Sequence, residues 1–196
     1  MIELVVVLGI IGMLSAVSLA YMYNYKRTFK TEDQAIKVMD LMREAAQRAL
    51  NRRRTVRFEM DVSNVARPVV RLWDENGVGA AVLIKTIPLE PMKEVRMDVA
   101  PAGATRPNPP NYADAAYVGN IWTARFRSDG SVVNNADLPI SATLYAWRPI
   151  SETSQPFSMS NLTPKRLEET RAITVFGGSG AVRYWKHNGT TFVPFQ

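Results

Sequence analysis

The sequence has no cysteine among its 196 residues. Disulfides and thiolate metal sites are thereby excluded, while the compartment stays open, because exported proteins need not carry disulfides. Histidine occurs once, as His187. A lone imidazole, beside an Asn-Gly pair that reads as a surface turn, builds neither a histidine zinc cluster nor a convincing Ser-His-Asp arrangement. Charge is missing as well: residues 4–25 contain no Asp, Glu, Lys or Arg, and no basic residue precedes them. The one charge ahead of that run is Glu3.

Positive charge is abundant in one place. Between Lys26 and Arg57 there are ten Lys or Arg and four acids, which accounts for the whole net charge of +6. The basic character therefore belongs to one segment, and the remainder of the chain is balanced. A solvated helix face is the simplest reading of that segment; a stripe facing nucleic acid or lipid is the other.

The apolar run at residues 4–23 has the length expected of a membrane-crossing helix, roughly 20 residues. It lacks the basic head and shorter core of a cleaved secretory signal. Lys26, Arg27 and Lys30 follow it, so the positive-inside rule alone places the C-terminal body in the cytoplasm. Glu3 is costly beside an apolar phase, which makes it a functional candidate or a headgroup-level bystander.

From residue 31 the chain reads TEDQAIKVMDLMREAAQRALNRRRTVRFEM. Ala35, Val38, Met39, Met42, Ala45, Ala46 and Ala49 recur at three- and four-residue spacing, the stripe of a helix packed on a sheet. The helix either starts at Thr31, with Glu32 and Asp33 in its first turn, or continues from the apolar run. In the second case it is roughly 70 Å long at 1.5 Å per residue.

After Arg54 the period changes to two. Strands are expected at 56–60, 69–73, 78–87, 95–99, 142–148 and near Phe192, with hairpins over 121–133 and 170–185. Asp74-Glu75-Asn76-Gly77, Ser128-Asp129-Gly130 and Gly177-Gly178-Ser179-Gly180 read as turns. Residues 100–120, with four prolines, and 149–169 read as loops. The glycine cluster at 177–180 precedes no helix, so a helix N-terminus cradling phosphate is not on offer. Asp74/Glu75 and Glu168/Glu169 read as solvated acids rather than a calcium site or a catalytic pair.

The opening residues Ile2-Glu3-Leu4-Val5-Val6-Val7-Leu8-Gly9-Ile10-Ile11-Gly12-Met13 resemble the N-terminus of type IV pilins and type II secretion pseudopilins. The junction from Glu44 to Phe58, the Phe126-to-Gly130 hairpin and the late hairpin through Gly180 resemble the GspH/FimT group of minor pseudopilins. The resemblance implies a leader and two mature residues ahead of Met1, processed by a prepilin peptidase. It also implies a periplasmic body, opposite to the charge reading. Glu3 aligns with the glutamate that pairs with a neighbouring subunit's N-terminal amine, and such pairing would offset the desolvation of both charges. The class often has a kinking proline where Ala20 stands, so a smoother helix is expected.

The expected fold is α+β and pilin-like: a long N-terminal transmembrane helix packed on a mostly antiparallel β-sheet or sandwich body. Residues 1–25 form the assembly helix, 26–54 the basic amphipathic continuation, and 55–196 a periplasmic β-rich domain. The expected function is structural, not enzymatic: a minor pseudopilin of a type II secretion or type IV pilus-type assembly. Its partners are other pilin-like subunits, the inner membrane as a single-pass anchor, and the peptidase; no cofactor or metal is called for. One alternative is a DNA-binding minor pilin, with Arg52, Arg53, Arg54 and Arg183 as phosphate contacts. Arg183 is the surviving half of the Gly-Arg-x-Arg pattern of DNA-binding FimT-like members; Ala181 replaces the other arginine. A second alternative is a membrane-anchored periplasmic enzyme or binding module.

Overall fold

The computed structural model describes residues 2–75, 79–151 and 157–195; inside the first helix, side chains are described for Val7, 9–19 and 29–52. The chain begins with helix α1 (Ile2–Arg52), which has no boundary at Thr31. Two antiparallel sheets follow. The first has the order β3-β2-β1-β6-β7, built from β1 (Thr55–Asp61), β2 (Val69–Glu75), β3 (Val82–Pro88), β6 (Ile121–Phe126) and β7 (Val132–Val133). The second has the order β11-β10-β9-β8-β4, from β4 (Arg96–Asp98), β8 (Ala142–Trp147), β9 (Arg171–Val175), β10 (Val182–His187) and β11 (Phe192–Pro194). Strand β5 (Ala113–Asp114) adds to β8 in parallel.

Alternation explains the first sheet. Val56, Phe58 and Met60 of β1, Val70 and Leu72 of β2, and Trp122, Ala124 and Phe126 of β6 face inward and are buried. In β2 the inward face is Val70 and Leu72, because the β1 register sets Phe58 against Leu72 and Met60 against Val70. Val69, Arg71 and Trp73 point outward, where Trp73 Nε1 donates to Glu59 at 2.6 Å. Phe58 and Trp122 meet edge to face at 5.7 Å between centroids, a favoured aromatic geometry.

The second sheet does not alternate: β8 and β9 are buried throughout. One face, with Leu144, Ala146, Ile173 and Val175, joins a core shared with α1 and the first sheet. The other face, with Tyr145, Trp147, Ala172, Trp185 and Phe192, forms a second cluster. Ala100, Ala104 and Leu162 pack on it from the two segments that read as loops. Arg96 pins this cover. Its buried guanidinium donates to the carbonyls of Met159 (2.6 Å) and Asn161 (2.8 Å), pairs with Asp98 (2.7 Å) and stacks over Trp147.

From Thr31 onward α1 lies in the shared core through Ala35, Val38, Met42, Ala45 and Ala49, all fully buried. Small alanines let the helix axis approach the strands closely, and burial of Val38 and Met42 contributes roughly 1.5–3 kcal/mol each. The helix ends in a reverse turn. Arg53 takes a left-handed φ of 53°. The Arg53 and Arg54 amides donate back to the carbonyls of Leu50 (3.4 Å) and Ala49 (3.2 Å), which is the Schellman pattern.

Two expectations are corrected here. Among the described residues no helix is long and apolar enough to cross a membrane, which overturns the transmembrane helix and the single-pass inner-membrane location. Nor is a long helix packed on one β body: of the two stretches with described side chains, 9–19 and 29–52, burial begins only at Thr31. The body itself is two sheets that share one core with α1, and the second sheet carries a further cluster on its other face. The sequence suggested otherwise because residues 4–23 meet the length criterion as letters, whereas placement decides what is packed.

Smaller corrections concern polar residues. Asp74 is a buried residue of β2, not a turn acid, because the alternation that buries Leu72 also turns Asp74 inward. Glu169 is buried in a short 3₁₀ turn (Leu167–Glu169) against the second sheet. His187 is buried as the last residue of β10, packed edge-on against Phe192 at 4.8 Å. Residues 76–78, which include the second half of the expected Asp74-to-Gly77 turn, lie outside the described residues.

Candidate functional site

The helix offers three regions in chain order: an apolar stretch, a polar root and a basic end. In the apolar stretch Val7, Ile10, Ile11, Met13, Leu14, Val17 and Leu19 are more than half exposed, up to 77 % at Met13. At 100° per residue these positions surround the helix, so it has no polar face to turn to water. Gly9 and Gly12 have open space around them. Glu3 belongs to α1, but its side chain lies outside the described residues.

The root fixes where the helix leaves the body. Lys30 Nζ bridges Glu94 (2.6 Å) and Glu90 (2.9 Å). The hydrogen bonds to Glu94 and Glu90 raise the lysine above its ordinary pKa. Gln34 Oε1 accepts from the Glu90 amide at 2.6 Å. On the other side Glu32 pairs with the buried Arg171 at 3.0 Å. Arg171 also donates to the carbonyls of Glu168 and Thr170, and burial raises Tyr184 beside it to about 12. Both sheets' surroundings thus grip the same helical turn: the segment after β3 on one side and β9 on the other.

The basic end is less free than its sequence implies. Arg52 Nη1 and Arg54 Nη1 both lie 3.7 Å from Asp74 Oδ2. Asp74 is 6 % exposed, so two cations share one recessed carboxylate. Arg53 is exposed at the turn itself. Arg183 is an exposed residue of β10, opposite Thr174 in the second sheet, whereas Asp74 belongs to the first. The structure therefore draws Arg52 and Arg54 together and leaves Arg183 on another element.

Sequence reasoning missed the carboxylate that holds this end. Its signal was present: Asp74 continues the two-residue period of Val70 and Leu72. The neighbouring Glu-Asn-Gly outweighed it as a turn signature. Among the described residues no group of three His, Asp or Glu is placed to hold a metal ion. The Gly177-to-Gly180 segment closes a hairpin, with the Gly180 amide donating to Phe176 and the Phe176 amide to Ala181.

Comparison of the chain with protein-family models, with characterised proteins and with solved structures finds no match in any of the three. The likeness to pilins and to the GspH/FimT group rests on the sequence motifs alone.

Proposed function

We propose that the chain is a pilin-like structural subunit of the GspH/FimT type, serving a type II secretion or type IV pilus-type assembly. Its N-terminal helical stretch packs among the equivalent helices of neighbouring subunits. The observation that carries this reading is the all-round apolar exposure of the described part of residues 7–19, on a helix that the body grips from Lys30 onward. A helix apolar on every side is stable when other apolar surface encloses it, and like helices supply that surface. On this reading Glu3 pairs with the terminal amine of a neighbour and sets the register, since a subunit out of step leaves both charges unpaired.

The test uses the absence of native cysteine. Single cysteines introduced at Ile10, Met13 and Leu14 in the full chain are to be probed with a maleimide reagent. Labelling in the isolated subunit should fall sharply when it is co-assembled with its companion pilin-like subunits. Glu3→Ala should keep the body's thermal transition and fail to gain that protection. Equal labelling before and after assembly, or normal protection in Glu3→Ala, rejects the reading.

A further inference from the structure

The edge of the first sheet is open. Strand β3 is seven residues long and pairs with β2 alone, so its outer backbone groups face no strand among the described residues. Sheets normally guard such an edge with short strands, charges or a covering element. Here the guard is slight: Val82 and Leu83 are about half exposed, and Lys85 is the one charge on the strand. Beside the edge runs a groove of about 360 Å³ between β3 and α1. Its floor is apolar, with Ile36 and Leu41 from the helix and Ile87 from the strand.

The helix wall of the groove carries three acids and one lysine, Lys37. Asp33, Asp40 and Glu44 recur at seven- and four-residue steps and so share one face. Two of them are already matched: Asp33 by Lys37 at 3.7 Å, and Glu44 by Lys85 at 3.3 Å and Arg48 at 2.8 Å. Asp40 is exposed and has no ion-pair partner among the described residues. A cation entering the groove therefore meets one uncompensated carboxylate.

We propose that this edge and groove take an extended peptide segment of another protein by strand addition. The segment places a lysine or arginine toward Asp40 and an apolar side chain over Ile36 and Ile87. Main-chain hydrogen bonds to β3 supply much of the affinity, and side chains on one face of the added strand supply the choice. Charge selects the partner's sign. A second copy of this chain is the poorer occupant. Antiparallel pairing of two β3 strands about their midpoint sets Lys85 against Lys85, and like charges directly opposite are destabilising. The proposal does not depend on the filament reading, since it concerns the body and leaves residues 7–19 aside.

The experiment measures anisotropy of two labelled heptapeptides against the full chain, one alternating valine with lysine and one alternating valine with glutamate. The lysine peptide should bind, and the glutamate peptide should bind about fivefold or more weakly. Asp40→Lys, an exposed substitution that should fold normally, should weaken the lysine peptide by a similar factor. Two further lysine peptides carry N-methyl groups at the odd or at the even positions, so that each blocks one edge of the strand. One should bind and the other should not. Equal binding of the lysine and glutamate peptides, absence of binding by both, or equal tolerance of the two N-methyl patterns overturns the proposal. Self-association in sedimentation velocity that is abolished by Leu83→Lys also overturns it, by making a second copy the occupant.

Discussion

His187 shows how burial changes what a residue does. The ring is 1 % exposed; its Nδ1 accepts the Gly189 amide at 3.0 Å, and its Nε2 has no partner. Nδ1 as acceptor requires the neutral ring, with the proton on Nε2. Burial pushes the imidazole below its ordinary value of 6.5, against a smaller upward pull from Glu168. The sign follows by linkage: the folded state binds fewer protons than the unfolded state in this range, so stability rises with pH. The contribution is present above 6.5 and is lost as pH falls through that value toward the depressed folded one. Protonation would also set two donors against each other at the turn between β10 and β11. We expect the urea midpoint to fall between pH 7.5 and 5.5, and His187→Gln to show a smaller fall over the same range. An identical slope in both proteins would remove His187 as the cause.

At the scale of elements, the end of α1 is set by Arg53, which occupies the left-handed position that glycine fills most easily. A side chain there costs roughly 1–2 kcal/mol. Arg53→Gly should therefore raise stability by about 1 kcal/mol, read as a higher denaturant midpoint with unchanged slope. Arg53→Ala removes the same charge but keeps the Cβ, and it should not stabilise; a gain of equal size would make charge relief the cause. Element boundaries differ in how far they could be read from residues. The stripe from Ala35 to Ala49 was legible because one buried face repeats every 3.6 residues, and β1 because inward and outward positions alternate. Residues 79–81 of the expected 78–87 strand fall outside β3, since apolar letters alone do not set where pairing with β2 begins, and residue 78 lies outside the described residues. β5 and the covering role of Ala100, Ala104 and Leu162 were not legible. They depend on β8 and β9 being buried on both faces, and local sequence has no period that announces a cover. In the candidate site the basic run was plain, whereas its recessed partner Asp74 was hidden by adjacent turn residues.

At the scale of the whole molecule, one helix serves two environments. Residues from Thr31 onward share a core with both sheets, while the described residues among 7–19 touch no part of that core. The two halves should then respond differently to the same kind of truncation. Met42 is fully buried among strands and helix, so Met42→Ala removes packed methylenes and leaves a cavity, at a cost of about 2–5 kcal/mol. Ile10 is 54 % exposed, so Ile10→Ala takes nothing from the body's core, and the isolated subunit's unfolding midpoint should stay within about 0.5 kcal/mol of the parent. Assembly should reverse the order of sensitivity: Ile10→Ala would lose apolar area only where subunits enclose it, at about 25 cal/mol per Å² withdrawn from water. Chemical denaturation of the isolated subunit, set beside dissociation of the assembled form, checks both halves. If Ile10→Ala destabilises the isolated subunit as much as Met42→Ala, the helix is packed along its whole length and the division into gripped and unpartnered turns is wrong.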